Sequence, residues 1–162
     1  LDHTYDTDFV WQVNIHGDHT DRHIHLRQER LPRQMPVRYP ATERHLRTAA
    51  SAPHAFLVAT DKPGHTYYGY LALLRDPAND TATLRDVVVG KPYRRAGLAT
   101  RLLKVARRWA NQHAVTRIYA ETQTKNHPAI QLYTRAGYHF CGFNDQYFDN
   151  QDIAIFFCLT LH

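Results

Sequence analysis

Cysteine is scarce in this sequence. Cys141 and Cys158 are the only two in 162 residues, so a disulfide-built scaffold is excluded. One bridge between them or two free buried thiols both fit that count. The reading taken is two thiols in a cytoplasmic protein. Long apolar runs are missing as well: no window holds the roughly 18 uninterrupted apolar residues of a membrane span. No charged-then-apolar leader opens the sequence at Leu1. Repeats, low-complexity tracts and long linkers are absent too, which makes one domain over residues 1–162 the expectation. A chain of this length can bury roughly 70% of its unfolded surface, enough for a core without staples.

Charge and histidine are what the chain has in excess. The net charge is +5 and the pI about 9.4. That balance suits a polyanionic partner, either nucleic acid or a small phosphorylated ligand. Lys91, Arg94, Arg95, Arg101, Lys104, Arg107 and Arg108 crowd one stretch. Four of the twelve histidines, His16, His19, His23 and His25, fall within ten residues. Neither cysteine nor an HExxH pattern accompanies them, so solvated surface histidines are expected rather than a metal site.

Residues 8–15 and 22–31 suit extended structure, and Gly17-Asp18 suggests the hairpin turn between them. Pro32, Pro36 and Pro40 should break the chain. A short helix over 41–51, opened by Thr42, should follow. Strands are expected at 54–60, 67–74 and 81–89, with turns at Asp61–Gly64 and Asp76–Asp80. The pattern then becomes strand, glycine turn, helix. Leu98, Leu102, Val105, Ala106 and Trp109 recur at helical spacing and predict an amphipathic helix over 97–113. A strand at 117–122 precedes a helix that starts near Pro128. Its apolar stripe is Ala129, Leu132, Tyr133 and Ala136, and Gly137 suits its left-handed stop. Strands near 138–144 and 152–161 close the chain. The fold class is α/β: a mixed, mostly antiparallel central sheet with flanking helices and one β-α-β crossover.

The most informative segment runs from Leu84 to Ala99. A strand ending in Val87, Val88 and Val89 enters an Arg- and Gly-rich loop, and a helix opens directly after it. Free N–H groups at a helix start carry partial positive charge and bind phosphate oxygens. Gly97 lets the backbone approach a phosphate, and Arg94, Arg95 and Arg101 can add charge-assisted contacts. The core pattern Arg94-x-x-Gly97-x-Ala99 arises by chance at about 1 in 1,000 positions. Alone it equally fits a plain turn with solvent-facing arginines.

Two stretches together say more. Val89–Leu103 resembles the signature of the GNAT acetyltransferase superfamily. So does Glu121–Tyr138, with Asn126, Ala129, Leu132-Tyr133 and Gly137-Tyr138, at the distance that family shows. The resemblance covers about a third of the chain, residues 84–138. It implies a splayed parallel strand pair, here 81–89 and 117–122, forming an acetyl-CoA cleft. Acetyl-CoA would be a cosubstrate, with no metal. Val87 and Val89, flanking Val88, would pair with the pantetheine arm as an added strand would. The loop from Arg94 and Arg95 through Ala96, Gly97, Leu98, Ala99 and Thr100 would hold the pyrophosphate. Asn126 would reach the pantetheine near Ala129. Ala99 stands where glycine is common in the family.

Acetyl transfer needs a neutral amine, a stabilised oxyanion and a protonated leaving thiolate. Tyr133 is the expected acid: a phenol near pKa 10 matches a thiolate whose acid lies near 8.5. By periodicity alone it would simply pack on its helix. Glu121, at a strand end, is the leading base. Asp86 is the alternative, and a water chain a third. A backbone N–H near Val89 would meet the oxyanion.

The C-terminal third looks similar to the streptothricin acetyltransferase branch, through Glu121-Thr-Gln, Cys141–Asp145 and Asp152–Phe157. This implies a small cationic acceptor, attacked directly in a ternary complex, and a role in antibiotic resistance. Asp145, Asp149 and Asp152 would attract such a cation, and Tyr147 and Phe148 would pack on it. Alternatives stay open: a protein N-terminus or lysine amine as acceptor, a CoA-binding domain without catalysis, or a basic nucleic-acid-binding module. Against the last, the basic residues surround one glycine turn and not an aromatic-interleaved face. The expected partner is therefore a small-molecule amine, not nucleic acid or membrane. Homodimers are common among similar enzymes.

Overall fold

The computed structural model describes residues 1–39, 43–51 and 55–162. Its framework is a six-stranded sheet in the order β3-β4-β5-β6-β8-β7. These are β3 (Ala55–Thr60), β4 (Tyr67–Asp76), β5 (Thr81–Val89), β6 (Arg117–Gln123), β7 (His139–Asn144) and β8 (Ala154–Thr160). Only β5 and β6 run parallel; every other neighbour pair is antiparallel. The mixed, mostly antiparallel sheet expected from the sequence is the one observed. Helix α2 (Leu98–Gln112) makes the crossover that a parallel pair requires.

Leu71, Leu73, Leu84, Ile118 and Ile155 are at most 1% exposed and fill the sheet side of the core. Against them α2 buries Leu102, Leu103, Ala106 and Ala110. This stripe is rotated from the expected one. Val105 is 47% exposed, and Leu103 takes its place inside. Apolar residues at 102, 103, 105 and 106 permit either rotation, and packing on β4 and β5 chooses one. Helix α3 (His127–Arg135) buries Ile130 and Tyr133, with Ala129, Leu132 and Ala136 packed beside them. Gly137 follows at φ +89°, the left-handed stop that glycine allows. No helix among the described residues is long and apolar enough to cross a membrane.

The N-terminal hairpin corrects the sequence reading. Its strands are longer than 8–15 and 22–31, namely β1 (Thr4–Gly17) and β2 (Arg22–Arg38). Pro32 and Pro36 do not break the second strand. The ribbon is a separate two-stranded sheet, so each strand has an unpaired edge where proline sacrifices no bond. Pro32 also falls in a register break, where the partners of Thr7 and Phe9 step from Met35 to Arg30. Helix α1 spans Glu43–Ser51. Pro40 and the expected cap Thr42 lie outside the described residues, as does His54. The hairpin tip carries His16, His19, His23 and His25, all exposed. Both cysteines are free thiols, but neither is buried: Cys141 is exposed and Cys158 half-buried.

An isolated two-stranded ribbon is marginal in water, so docking must hold it. The Trp11 N–H donates to the Thr124 carbonyl at 2.9 Å. The Tyr5 hydroxyl donates to Gln123 Oε1 at 2.8 Å, at a position where Gln123 is fully buried. Phe9 packs on His127 with ring centroids 4.8 Å apart. The same end of β6 is thus tied to the ribbon and to Asp152, which receives Gln123 Nε2 and, at 2.7 Å, Lys125 Nζ. Tyr5→Phe should leave the Gln123 oxygen without its donor and cost about 1–3 kcal/mol of stability. Urea unfolding of the two proteins measures this directly. An unchanged midpoint would mean that the ribbon is held elsewhere.

Candidate active site

The parallel pairing of β5 and β6 runs only from Thr81 opposite Arg117 to Leu84 opposite Ala120. Both strands continue, β5 to Val89 and β6 to Gln123, so they part. A bulge causes the divergence on one side. Ala72 faces Asp86 while Leu73 faces Leu84, leaving Arg85 as the extra residue. Bulges bend a strand and re-aim its side chains. Beyond it, the Gly90 N–H donates to the Tyr68 carbonyl at 2.9 Å, on the β4 side. Alternation along the strand then turns the N–H and C=O of Val89 and Val87 away from β4, toward the gap.

A cleft of ≈ 1000 Å³ fills this gap. One wall is Asp86 to Val89, including Val88. The turn before α2 forms its mouth, with Arg94, Arg95, Gly97, Leu98, Ala99 and Thr100. Ala96 is exposed on the turn but is not part of the wall. The far wall is Glu121, Thr122, Asn126, Ala129 and Tyr133. The structure therefore brings together the residues expected to bind the coenzyme and to act on it, except Ala96 and Arg101, while Asp145, Phe148, Asp149 and Asp152, expected at the acceptor, do not line the cleft.

The turn is shaped for close approach to a ligand. Gly97 is left-handed at φ +77°, and a Cβ there would meet no protein atom within 4 Å. The space belongs to whatever occupies the cleft. Arg95 is also left-handed at φ +64°, an uncommon state for a residue with a side chain. No side chain caps α2, and its first turn contains no acidic residue. Its leading N–H groups and dipole thus remain available to an anion. Arg95 and Arg101 are exposed nearby.

Arg94 is used differently from the expectation. Its Nε donates to the Val89 carbonyl at 2.8 Å and its guanidinium also reaches the Asp2 carbonyl at 3.2 Å. It braces the strand end and leaves the Val89 N–H to the cleft. Asn126 is the N-cap of α3, its Oδ1 accepting from the Ala129 N–H at 3.2 Å. Its amide nitrogen can still serve a ligand. Asp152 is not a free attractor of cations, because Lys125, Gln123 and Asn150 already occupy its carboxylate. Asp145 and Asp149 are exposed.

A second cavity of ≈ 480 Å³ lies on the other side of the divergence, lined by Tyr119, Cys141, Phe143, Tyr147 and Phe156 among others. Arg85 and Glu121 belong to both cavities. Glu121 is 8% exposed and Asp86 5%. Arg85 lies 3.9 Å from Glu121 Oε1, and the Tyr147 hydroxyl donates to Oε2. Tyr133 is 5% exposed, and burial raises its pKa well above the ordinary phenol value. The fields of Tyr39, Tyr138, Glu121 and Asp86 push it in the same direction.

Tyr39, Arg85 and Thr122 were not singled out from the sequence. Tyr39 sits where β2 ends, against Phe148, and burial raises its phenol above the usual range with Glu121 next in effect. It is 82 positions from Glu121, with no motif to link them. The Thr122 hydroxyl is buried without a protein partner among the described residues and lines the cleft.

Comparison with known proteins adds to this geometry. The family model described as "Acetyltransferase (GNAT) family" matches residues 22–138. A streptothricin acetyltransferase of Escherichia coli is 38% identical over 64 residues, 40% of this chain and 37% of that protein. One from Streptomyces lavendulae is 30% identical over 74 residues, 46% of this chain and 39% of that protein. The matched stretch is thus well under half the length of each relative. Among solved structures, a nourseothricin acetyltransferase superposes with TM-score 0.83 at 22% identity, covering 99% of this chain and 88% of that one. A Bacillus anthracis protein assigned as a streptothricin acetyltransferase, in complex with acetyl coenzyme A, gives 0.79 at 22%, covering 99% and 89%. At such identity these structures establish the fold.

The turn yields a direct test. Gly97→Val puts a β-branched side chain at φ +77° and fills the open approach. Acetyl-CoA affinity should fall by about 100-fold or more, the equivalent of two lost charge-assisted hydrogen bonds. Calorimetry on the folded variant checks this. Unchanged affinity would remove the turn from the binding site.

Proposed function

The chain belongs to the GNAT acetyltransferase family, and on that premise we propose that it transfers the acetyl group of acetyl-CoA to a primary amine of a small cationic acceptor. The observation that carries the proposal is the position of Glu121. It stands where the cleft beside the uncapped helix meets the second cavity, so one carboxylate reaches both reactants. The cleft fits the coenzyme on three counts. Its mouth is an uncapped helix start with a glycine that leaves room for phosphate. Its wall is a strand whose edge has lost its neighbour. Thr122 Oγ1 is a buried polar atom without a partner among the described residues.

Acetyl-CoA supplies an activated thioester. The residues supply the rest. Glu121 takes a proton from the acceptor ammonium, breaking N–H and forming O–H, so that the neutral amine can attack the carbonyl carbon. The Val89 N–H faces the oxygen on which charge develops. Tyr133 gives its phenolic proton to the sulfur as the carbon–sulfur bond breaks, and the extra proton on the attacking nitrogen leaves to water, from which the phenolate is reprotonated. Burial raises its pKa well above the ordinary phenol value, which keeps it protonated but makes it a weaker acid than the sequence expectation, so the proton moves only as charge builds on the sulfur. Glu121 is preferred to Asp86 as base because Asp86 lines only the coenzyme cleft.

The acceptor cavity favours a cationic, partly apolar amine. Tyr119, Phe143, Tyr147 and Phe156 offer aromatic faces and edges, and Glu121 offers the charge. The E. coli and S. lavendulae relatives are named for streptothricin, which makes a streptothricin-like amine the leading acceptor here.

A thiol-release assay with acetyl-CoA across amines tests the reading. The panel should hold streptothricin, polyamines, amino acids and peptides with free N-termini. Streptothricin should give the highest kcat/KM. Preference for a peptide N-terminus or lysine would move the assignment to protein acetylation. Salt-sensitive nucleic-acid binding without coenzyme affinity would replace it altogether. Tyr133→Phe should lower kcat by about 100-fold and leave acetyl-CoA affinity nearly unchanged. Equal loss of both would reduce Tyr133 to a packing residue.

A further inference from the structure

Resting on the reading above, we propose that Tyr147 is a positioning residue for the acetyl-transfer base: its hydroxyl, held in place by two perpendicular aromatic rings, keeps the Glu121 carboxylate, which Arg85 also faces, ionised and aimed at the acceptor amine.

Tyr147 lies in the polar segment between β7 and β8, 26 positions from Glu121. The sequence suggests only that its ring packs on a cation. The structure gives its hydroxyl a definite partner. It donates to Glu121 Oε2, while Arg85 Nη1 lies 3.9 Å from Glu121 Oε1. Each carboxylate oxygen thus has its own neighbour. The ring cannot drift, since Phe148 and Phe156 stand edge-on to it at 5.1 and 5.3 Å with interplanar angles of 87° and 86°. Phe156 is also the residue paired with Glu121 across β6 and β8. The aromatic lock and the base therefore share one register position.

The arrangement answers a physical problem. Glu121 is 8% exposed, and burial disfavours the charged form that a base must start from. Four further groups bear on it. Asp86 on β5 repels its charge. Tyr39 beyond β2 and Tyr133 on α3 are neutral phenols. Arg85 on β5 attracts it, though 3.9 Å is long for a full ion pair. The Tyr147 hydroxyl donates directly to the carboxylate and so supports its charged form. The other oxygen, Oε1, faces Arg85, which is 30% exposed. When Glu121 accepts the proton, its bond from Tyr147 weakens, which favours release of that proton before the next cycle.

The test is Tyr147→Phe, which keeps the ring and deletes the hydroxyl. Carboxyl-carbon NMR should show the Glu121 titration midpoint rising by about 1 pH unit, since a donor to the charged form is gone. The acid limb of kcat/KM for the best amine should move the same way. The kcat should fall by about tenfold, while acetyl-CoA affinity should stay within twofold. Arg85→Gln should raise the midpoint too, which covers the case of an unfolded Tyr147 variant. A midpoint unmoved in both variants would overturn the proposal. So would a Tyr147→Phe enzyme with the normal pH profile beside an impaired Tyr147→Ala, the mark of packing alone. If the unmodified protein released thiol with no amine, the acetyltransferase reading would fall, and the NMR titration would still decide whether Tyr147 governs Glu121.

Discussion

The site depends on a hydrogen-bond ladder that stops. β5 and β6 pair for four residues and then separate, although both continue. Unpaired strand edges are costly when buried, because each N–H and C=O must find a partner. Here the freed edge lines the cleft. A bulge at Arg85 starts the divergence, and the Arg94 side chain satisfies the Val89 carbonyl at its end. Between these two points Val87 and Val89 offer backbone groups to a ligand that can complete the sheet, while Val88 stays bonded on the β4 side.

Charge then divides the labour across that opening. The α2 start contributes uncapped N–H groups and neighbouring arginines at one end. Buried Glu121 and Asp86 set a negative field at the other, and that field helps to keep Tyr133 and Tyr39 protonated. An anionic coenzyme and a cationic acceptor would therefore meet from opposite directions. The net charge of +5 is consistent with this, but its placement carries the argument. The N-terminal ribbon closes the arrangement by docking on the far end of β6 through Tyr5 and Trp11.

Much of this was legible in the sequence. β5 lies at 81–89 as read, because turn residues bound an alternating, β-branched run. The glycine turn and both following helices fall within a few residues of their expected limits, since each carries its own start and stop signals. What local pattern could not settle was rotation and partnership. The α2 stripe has four apolar neighbours and two possible faces, so Val105 and Leu103 exchanged places. Pro32 and Pro36 read as breakers because their tolerance depends on a ribbon edge that only the fold reveals. Arg94 and Asp152 looked like ligand contacts, yet each is occupied by groups far away in sequence, Asp2 for the first and Lys125 with Gln123 for the second. Tyr39 and the Tyr147–Glu121 contact were invisible for the same reason.

The most direct measurement of the central claim is a crystal structure of this chain with acetyl-CoA. The account requires the diphosphate on the N–H groups that begin α2 and the pantetheine amides alongside Val87 and Val89. The thioester must end within reach of Glu121 and Tyr133. A coenzyme bound elsewhere, or β5 and β6 zipped together past Leu84 and Ala120 with no room for it, would contradict the account.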